Sequence, residues 1–201
     1  MIKAIIFDIG GVLIRTHDRS HRNNLEDRLG LPRGESEILV FNGEMGRKAQ
    51  HGEISSAELY GWIQTHLKLD DAGIAQFKYE FWAGDQLDVD LVNYIRQLRK
   101  KYTVCVISNF MDELPHMLKT DFPAADAFHF TVVSAHVGVM KPNPFIFEYT
   151  LKLLNLQPEE TVFIDDFQHN IDGCKAVGMH GILFKPNIDL KVSLEEIGVT
   201  I

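Results

Sequence analysis

The feature that most limits what this chain can become is a set of short apolar runs, each bounded by polar or turn residues. Residues 4–7 (AIIF) run into Asp8, 104–107 (VCVI) into Ser108-Asn109, and 161–164 (TVFI) into Asp165-Asp166, with a fourth run at 181–184 (GILF). Such brief β-branched-rich runs read as buried strands. Helical patterns lie between them. Leu87, Leu91, Ile95 and Leu98 recur at three- and four-residue spacing, the stripe of a helix lying on a sheet. Residues 145–154 form a second such stretch behind Pro142 and Pro144, where a missing N–H costs little. Residues 171–177 form a third, closed by Gly178. Strand–helix–strand alternation implies parallel pairing with right-handed crossovers, hence a Rossmann-like, doubly wound α/β sheet.

One segment breaks the alternation. Between Thr16 and Gly84 there is no strand pattern, only amphipathic helical stretches with turns at 30–32, 43–46 and 51–53. Ser55, with Glu58 three residues on, has the form of a capping box opening a helix. The expected organisation is an α/β core from residues 1–15 and 85–201, with residues 16–84 inserted as an α-helical cap. In that insert Phe41, Trp62, Phe81 and Trp82 read first as cap core and second as a substrate platform.

Composition narrows the partners. The 201 residues carry 28 acidic and 20 basic side chains, a net charge of −8, with no Lys/Arg-rich run. Nucleic acids and anionic membranes both require clustered positive charge, so neither is expected as a partner. No apolar stretch approaches the roughly 20 residues of a membrane span, and the N-terminus lacks a signal-peptide pattern. Cys105 and Cys174 lie in apolar surroundings and read as buried free thiols. The expectation is a cytoplasmic globular protein whose oligomeric state the sequence leaves open.

The acids at strand ends carry the chemistry. Ligands of parallel α/β sheets bind outside the carboxyl ends of the strands, where strand order reverses. A lone acid there is usually a turn or helix cap. Here Asp8, Ser108-Asn109 and Asp165-Asp166 are expected on one rim, with Lys141 in addition. Asp8 and Asp166 suit a hard divalent cation such as Mg²⁺, which takes one or two carboxylates plus waters and phosphate oxygens. Gly10 and Gly11 allow a tight turn whose N–H groups face an anion. With the Ser108 hydroxyl and the Lys141 ammonium, the set describes a phosphoryl-transfer site in which Asp8 attacks phosphorus.

These residues resemble a known family. Phe7-Asp8-Ile9-Gly10-Gly11-Val12-Leu13, Val106-Ile107-Ser108-Asn109, Lys141-Pro142-Asn143-Pro144-Phe145-Ile146-Phe147 and Phe163-Ile164-Asp165-Asp166 with Asn170 follow, in order, the pattern of haloacid dehalogenase (HAD)-superfamily hydrolases. The resemblance spans nearly the whole chain and points to the subfamily with a helical cap after the first strand. Within it, the bacterial sugar-phosphate phosphatases of the alpha-D-glucose-1-phosphate phosphatase type are the most similar. It implies a Mg²⁺-dependent phosphatase acting on a small phosphorylated metabolite. Asp8 would form an aspartyl-phosphate, Ser108 and the Asn109 backbone would bind phosphate oxygens, and Lys141 would neutralise charge. Asp8, the Gly10 carbonyl and Asp166 would hold Mg²⁺, with Asp165 as support or alternative ligand.

One departure stands out. Phosphatases resembling this chain mostly carry a second Asp two residues after the nucleophile, as general acid and base. Gly10 stands there instead, which implies slow turnover, since such a group contributes about 10²–10⁴-fold. His17 and Asp18 are weaker substitutes. The departure keeps open a phosphometabolite-binding protein without turnover, and more distantly a 2-haloacid dehalogenase. Asn170 reads equally as a support for Lys141 or a metal-bound water and as a turn residue. The nine histidines are scattered and do not read as a zinc site. His169, beside the last motif, reads first as a solvent-facing helix start and second as catalytic. Asn42, Glu44 and Arg47, expected in a glycine-bounded turn of the cap, are the candidate substrate contacts.

Overall fold

A computed structural model describes residues 1–201. Seven strands follow one another along the chain: β1 (Ala4–Phe7), β2 (Ile14–Thr16), β3 (Asp85–Leu87), β4 (Thr103–Ser108), β5 (Phe130–Val133), β6 (Thr161–Asp165) and β7 (His180–Leu183). Five of them form a parallel sheet in the order β5-β4-β1-β6-β7, while β2 and β3 pair as a separate antiparallel ribbon. β1 is central. The chain builds outward from it to β4 and β5, then returns to its other side for β6 and β7. Strand order therefore reverses at β1, and the crevice for a ligand opens at its carboxyl end.

Alternation along the strands sends side chains to two buried faces. Ile5, Phe7, Val104, Val106, Val162 and Ile164 join one core cluster, and Ile6, Cys105, Ile107 and Phe163 the other. Each large apolar side chain fully buried this way contributes about 1.5–3 kcal/mol. Helices cover both faces, which is why the interiors of β1, β4 and β6 are continuous apolar runs rather than alternating polar and apolar.

The helical insert consists of α1 (Ser20–Leu29), α2 (Glu35–Glu37), a π-helical turn at Ile38–Asn42, α3 (Glu44–Gln50), α4 (Ser56–His66) and α5 (Asp71–Trp82). Ser55 and Glu58 form the expected capping box, with Ser55 N–H donating to Glu58 Oε2 at 2.7 Å and Glu58 N–H to Ser55 Oγ at 3.2 Å. Beyond β3 come α6 (Val89–Leu98), α7 (Leu114–Met117), α8 (Ser134–Val137), α9 (Pro144–Leu154), α10 (Gln168–Ala176) and α11 (Leu190–Glu195). The insert has no separate core. Leu25, Val40, Leu59, Ile63, Phe77 and Phe81 belong to the same cluster as one face of the sheet. Phe81 is fully buried, whereas Trp62 is only partly buried and stacks on His66.

Several sequence expectations shift locally. Leu87 ends β3 rather than starting a helical stripe, because Asp88 caps α6 by accepting from the Leu91 N–H at 2.9 Å. The turn expected at 43–46 is the first turn of α3, with Gly46 packed against the backbone of Val40 and Phe41. Phe184 lies just past β7 and ties back through its N–H to the Asp165 carbonyl at 2.8 Å. No helix is long and apolar enough to cross a membrane. Both cysteines are free and buried.

Candidate active site

Three neighbouring strand ends assemble the site. Asp8 follows β1, with its N–H donating to the Ile164 carbonyl at 2.9 Å. Ser108 closes β4 and Asp165 closes β6, so both flank it. Lys141 arrives from the loop before α9, its backbone N–H donating to Asn109 Oδ1 at 2.7 Å while Asn109 Nδ2 donates back to the Lys141 carbonyl at 2.9 Å. That reciprocal pair consumes the Asn109 side chain and fixes where the lysine enters.

The Lys141 ammonium is the hub. Its Nζ lies 2.9 Å from Asp8 Oδ1, 2.7 Å from Asp165 Oδ2 and 3.1 Å from the Ile107 carbonyl. Burial works against its charge, but Asp8 and Asp165 outweigh burial and hold its pKa above the usual lysine range. Asp8 Oδ1 also accepts from the Ile9 N–H at 2.7 Å. One oxygen of Asp8 is thereby held, and the other is left for the cavity. Asp165 is fully occupied. Its carboxylate accepts from Lys141, from the Phe167 N–H at 2.8 Å and from Asn170 Nδ2 at 3.0 Å to each oxygen. Asp165 therefore positions Lys141 from behind, while Asn170, bonded to Asp165, also borders the cavity and keeps an Oδ1 without a partner.

Asp166 differs. Its Oδ1 is buried without any hydrogen-bond partner. One ligand oxygen each from Asp8, Asp165 and Asp166 lie within 4.8 Å of one another. Burial, opposed by Lys141 and reinforced by Asp165, pushes the Asp8 carboxyl up to about 7. Burial and Asp165 also raise Asp166. Three carboxyl groups crowd around one ammonium, and one of them, Asp166, keeps a buried oxygen without a partner. Both observations fit a divalent cation held by hard oxygen donors.

Two adjacent glycines behave differently. Gly11 has φ +73°, and a Cβ there would lie 2.1 Å from Asp166 Oδ2, so only glycine allows that carboxylate to approach. At Gly10 a Cβ would meet nothing within 4 Å. That position faces open space.

The space is a cavity of about 710 Å³ between the strand tips and the helical insert. Besides the cradle, its wall includes Phe41, Trp82 and Phe110, whose rings lie 5.7–5.9 Å apart. Phe41 and Trp82 thus pack against the core and also face the cavity. Asn42 lies at the wall. Glu44 and Arg47 do not: both are on α3, where Glu44 pairs with Lys48 at 2.7 Å and Arg47 donates to the Asn42 carbonyl at 2.6 Å. His17 and Asp18 also lie outside the wall, with Asp18 accepting from the Ser20 N–H at 2.8 Å.

Sequence reasoning missed an ionic cluster in the wall. Arg22 is buried and donates to Glu37 and Asp85 at 2.7 Å each and to the Phe81 carbonyl at 2.9 Å, with its guanidinium 4.3 Å from the Phe81 ring centre. Thr16 Oγ1 donates to the second oxygen of Asp85, and Arg15 pairs with Asp88. These residues are scattered over residues 15–88, and no local motif marks them.

A parallel sheet whose switch point gathers a buried carboxylate, a buried ammonium and a candidate cation site defines a protein of the doubly wound α/β class with a ligand site at its strand tips. Comparison with known proteins gives the same class. A family model for haloacid dehalogenase-like hydrolases matches residues 2–178, and the chain belongs to that family. It is 29% identical over 191 residues to D-ribitol-5-phosphate phosphatase of Bacteroides thetaiotaomicron, covering 89% of each chain. It is 25% identical to bifunctional epoxide hydrolase 2 of Sus scrofa across 98% of this chain, which spans 38% of that protein's length. A HAD family enzyme from Bacteroides thetaiotaomicron, crystallised with magnesium and inorganic phosphate, has the same fold with a TM-score of 0.81. The alignment covers 96% of this chain and 99% of that one at 24% identity.

Proposed function

We propose that this chain is a Mg²⁺-dependent phosphatase that hydrolyses a small phosphorylated metabolite, a sugar phosphate, through an aspartyl-phosphate. The observation that carries the reading is the Asp8 carboxylate, with Oδ1 held by Lys141 and the Ile9 N–H and the other oxygen turned toward the cavity. The chain's likeness to a ribitol-phosphate phosphatase and to a protein of the same fold crystallised with magnesium and phosphate supports it.

In this reading the free oxygen of Asp8 attacks phosphorus as the P–O bond to the leaving alcohol breaks. Water then attacks the aspartyl-phosphate, releasing inorganic phosphate and restoring the carboxylate. Ser108 and the Asn109 N–H bind phosphate oxygens, while Lys141 offsets the repulsion between Asp8 and the phosphate dianion. Asp8, Asp166 and the Gly10 carbonyl would hold Mg²⁺, which supplies further charge neutralisation when bound. The helical insert, residues 16–84, serves as the cap that surrounds the leaving group, with Asn42 within reach of it.

The test is phosphate release from an aryl phosphate with and without Mg²⁺, by wild type and Asp8→Asn. Equal rates for the two proteins would remove Asp8 from the mechanism. A second reading, phosphometabolite binding without turnover, is favoured by the open position at Gly10. Multiple turnover excludes it. The 2-haloacid dehalogenase reading fits less well, because the unpartnered Asp166 oxygen among three carboxylates has no role in it.

A further inference from the structure

Ester hydrolysis at phosphorus leaves an alkoxide, which needs a proton as the bond breaks. The cavity wall holds few groups able to give one. Lys141 is committed to Asp8, Asp165 and the Ile107 carbonyl. Arg15 and Arg22 are bound in the wall, and guanidinium does not release its proton. Glu37 accepts from both Arg19 and Arg22, which hold its carboxyl below the usual range, so it carries no proton to give. Burial raises Asp85, but one of its oxygens accepts from Thr16 and the other from Arg22, so neither is turned to a ligand in the cavity. Asp8 and Asp166 belong to the phosphate and cation end.

His169 is the remaining titratable side chain of the wall. It stands in the first turn of α10, exposed, and makes no hydrogen bond or ion pair within the protein; its ring packs 5.3 Å from that of Phe167. The next residue, Asn170, anchors that turn to Asp165 through two 3.0 Å bonds, so the helix start that carries His169 is fixed relative to the nucleophile's neighbours. The space above Gly10 is open on the same cavity. Imidazole is the side chain that exchanges a proton most readily near neutral pH.

We propose that His169 donates the proton to the leaving oxygen; this rests on the phosphatase reading above. As Asp8 bonds to phosphorus and the ester P–O bond breaks, the imidazolium N–H bond breaks and the proton passes to the departing oxygen. The alcohol leaves neutral, and the exposed imidazole regains a proton from solvent through the cavity mouth.

The experiment compares alkyl phosphates, which need the proton, with aryl phosphates, whose leaving groups are stable as anions. In His169→Gln and His169→Ala the alkyl phosphate rate falls about 10²–10⁴-fold, and the aryl phosphate rate falls by a far smaller factor. Gly10→Asp placed in the His169→Ala background recovers part of the alkyl rate, because a carboxyl there enters the open space. The proposal is overturned by a wild-type alkyl rate in His169→Gln, or by equal losses on both substrate classes. A merely structural role would produce equal losses, and the Gln variant guards against misfolding of the Ala variant. Failure of the phosphatase reading looks different. In that case wild type releases phosphate from neither class, or Asp8→Asn matches wild type.

Discussion

Lys141 Nζ lies 2.9 Å from Asp8 Oδ1 and 2.7 Å from Asp165 Oδ2, all three groups being buried. The ammonium both restrains Asp8 and compensates the acid behind it. Lys141→Met leaves two buried carboxylates facing each other, a change of the kind that costs about 3–5 kcal/mol. Phosphate release is expected to drop at least about 10²-fold, and the denaturation midpoint to fall as well. Lys141→Arg is not expected to rescue, since a planar fork cannot occupy a point-charge site with three acceptors. An active Lys141→Met enzyme would show that the ammonium is dispensable.

The neighbouring glycines should respond in opposite ways. Gly11→Ala forces a Cβ to within 2.1 Å of Asp166 Oδ2 at a φ of +73°, and should abolish Mg²⁺ binding measured by calorimetry. Gly10→Asp meets no obstruction and is expected to fold normally and to raise the alkyl phosphate rate. If both variants behave alike, the contrast in local packing is not what governs this turn.

Acidity should couple to the cation. In metal-free protein the Asp8 carboxyl is pushed up to about 7 by burial, with Lys141 opposing and Asp165 adding to it; Asp166 is raised in the same direction. A raised folded-state pKa means the folded form binds more protons than the unfolded one between the ordinary carboxyl range and about 7. Stability from these groups is therefore full below that range and is lost as pH rises through the folded values. Thermal melts in chelator should fall from about pH 5 to about pH 8, and added Mg²⁺ should restore more at the higher pH. A Mg²⁺ shift of equal size at both ends would exclude the carboxylates as the titrating groups.

The Arg22 cluster should govern stability. Arg22→Ala leaves the buried Asp85 carboxylate without its cation and removes a hydrogen bond to the Phe81 carbonyl, while Glu37 keeps Arg19. The expected loss is on the order of 3–5 kcal/mol, read as a lower urea midpoint. Arg28→Ala is the control: it breaks only an exposed contact to Glu80 and should cost under about 1 kcal/mol.

Thiol chemistry should be silent in the native state. Burial raises both Cys105 and Cys174, the latter to about 12. A thiol reagent should modify neither until denaturant is added. Rapid labelling of native protein would mean that one of these sites opens.

Much of the fold was legible locally. β1 was read residue for residue, and β4, β6 and β7 to within a residue at either end, because continuous buried runs need no tertiary information to be recognised. β5 escaped because Phe130 and Thr131 are only half buried at a sheet edge. The ribbon of β2 and β3 escaped because three-residue polar strands owe their pairing to partners about 70 positions away, Thr16 with Asp85 and Ile14 with Leu87.

The sequence by itself determined that acids and a serine would gather at the carboxyl ends of a parallel sheet, because strand runs and their terminal residues are contiguous in the chain; Lys141, in the loop before α9, was brought to them by the tertiary structure. Only the tertiary structure decided what each one faces. Asp165 turned inward to Lys141 and Asn170, Asp166 was left with an unpartnered oxygen, Gly10 opened onto a cavity, and Glu44 and Arg47 fell outside it. Those outcomes depend on distances between residues far apart in sequence, and spacing along a chain carries no record of them.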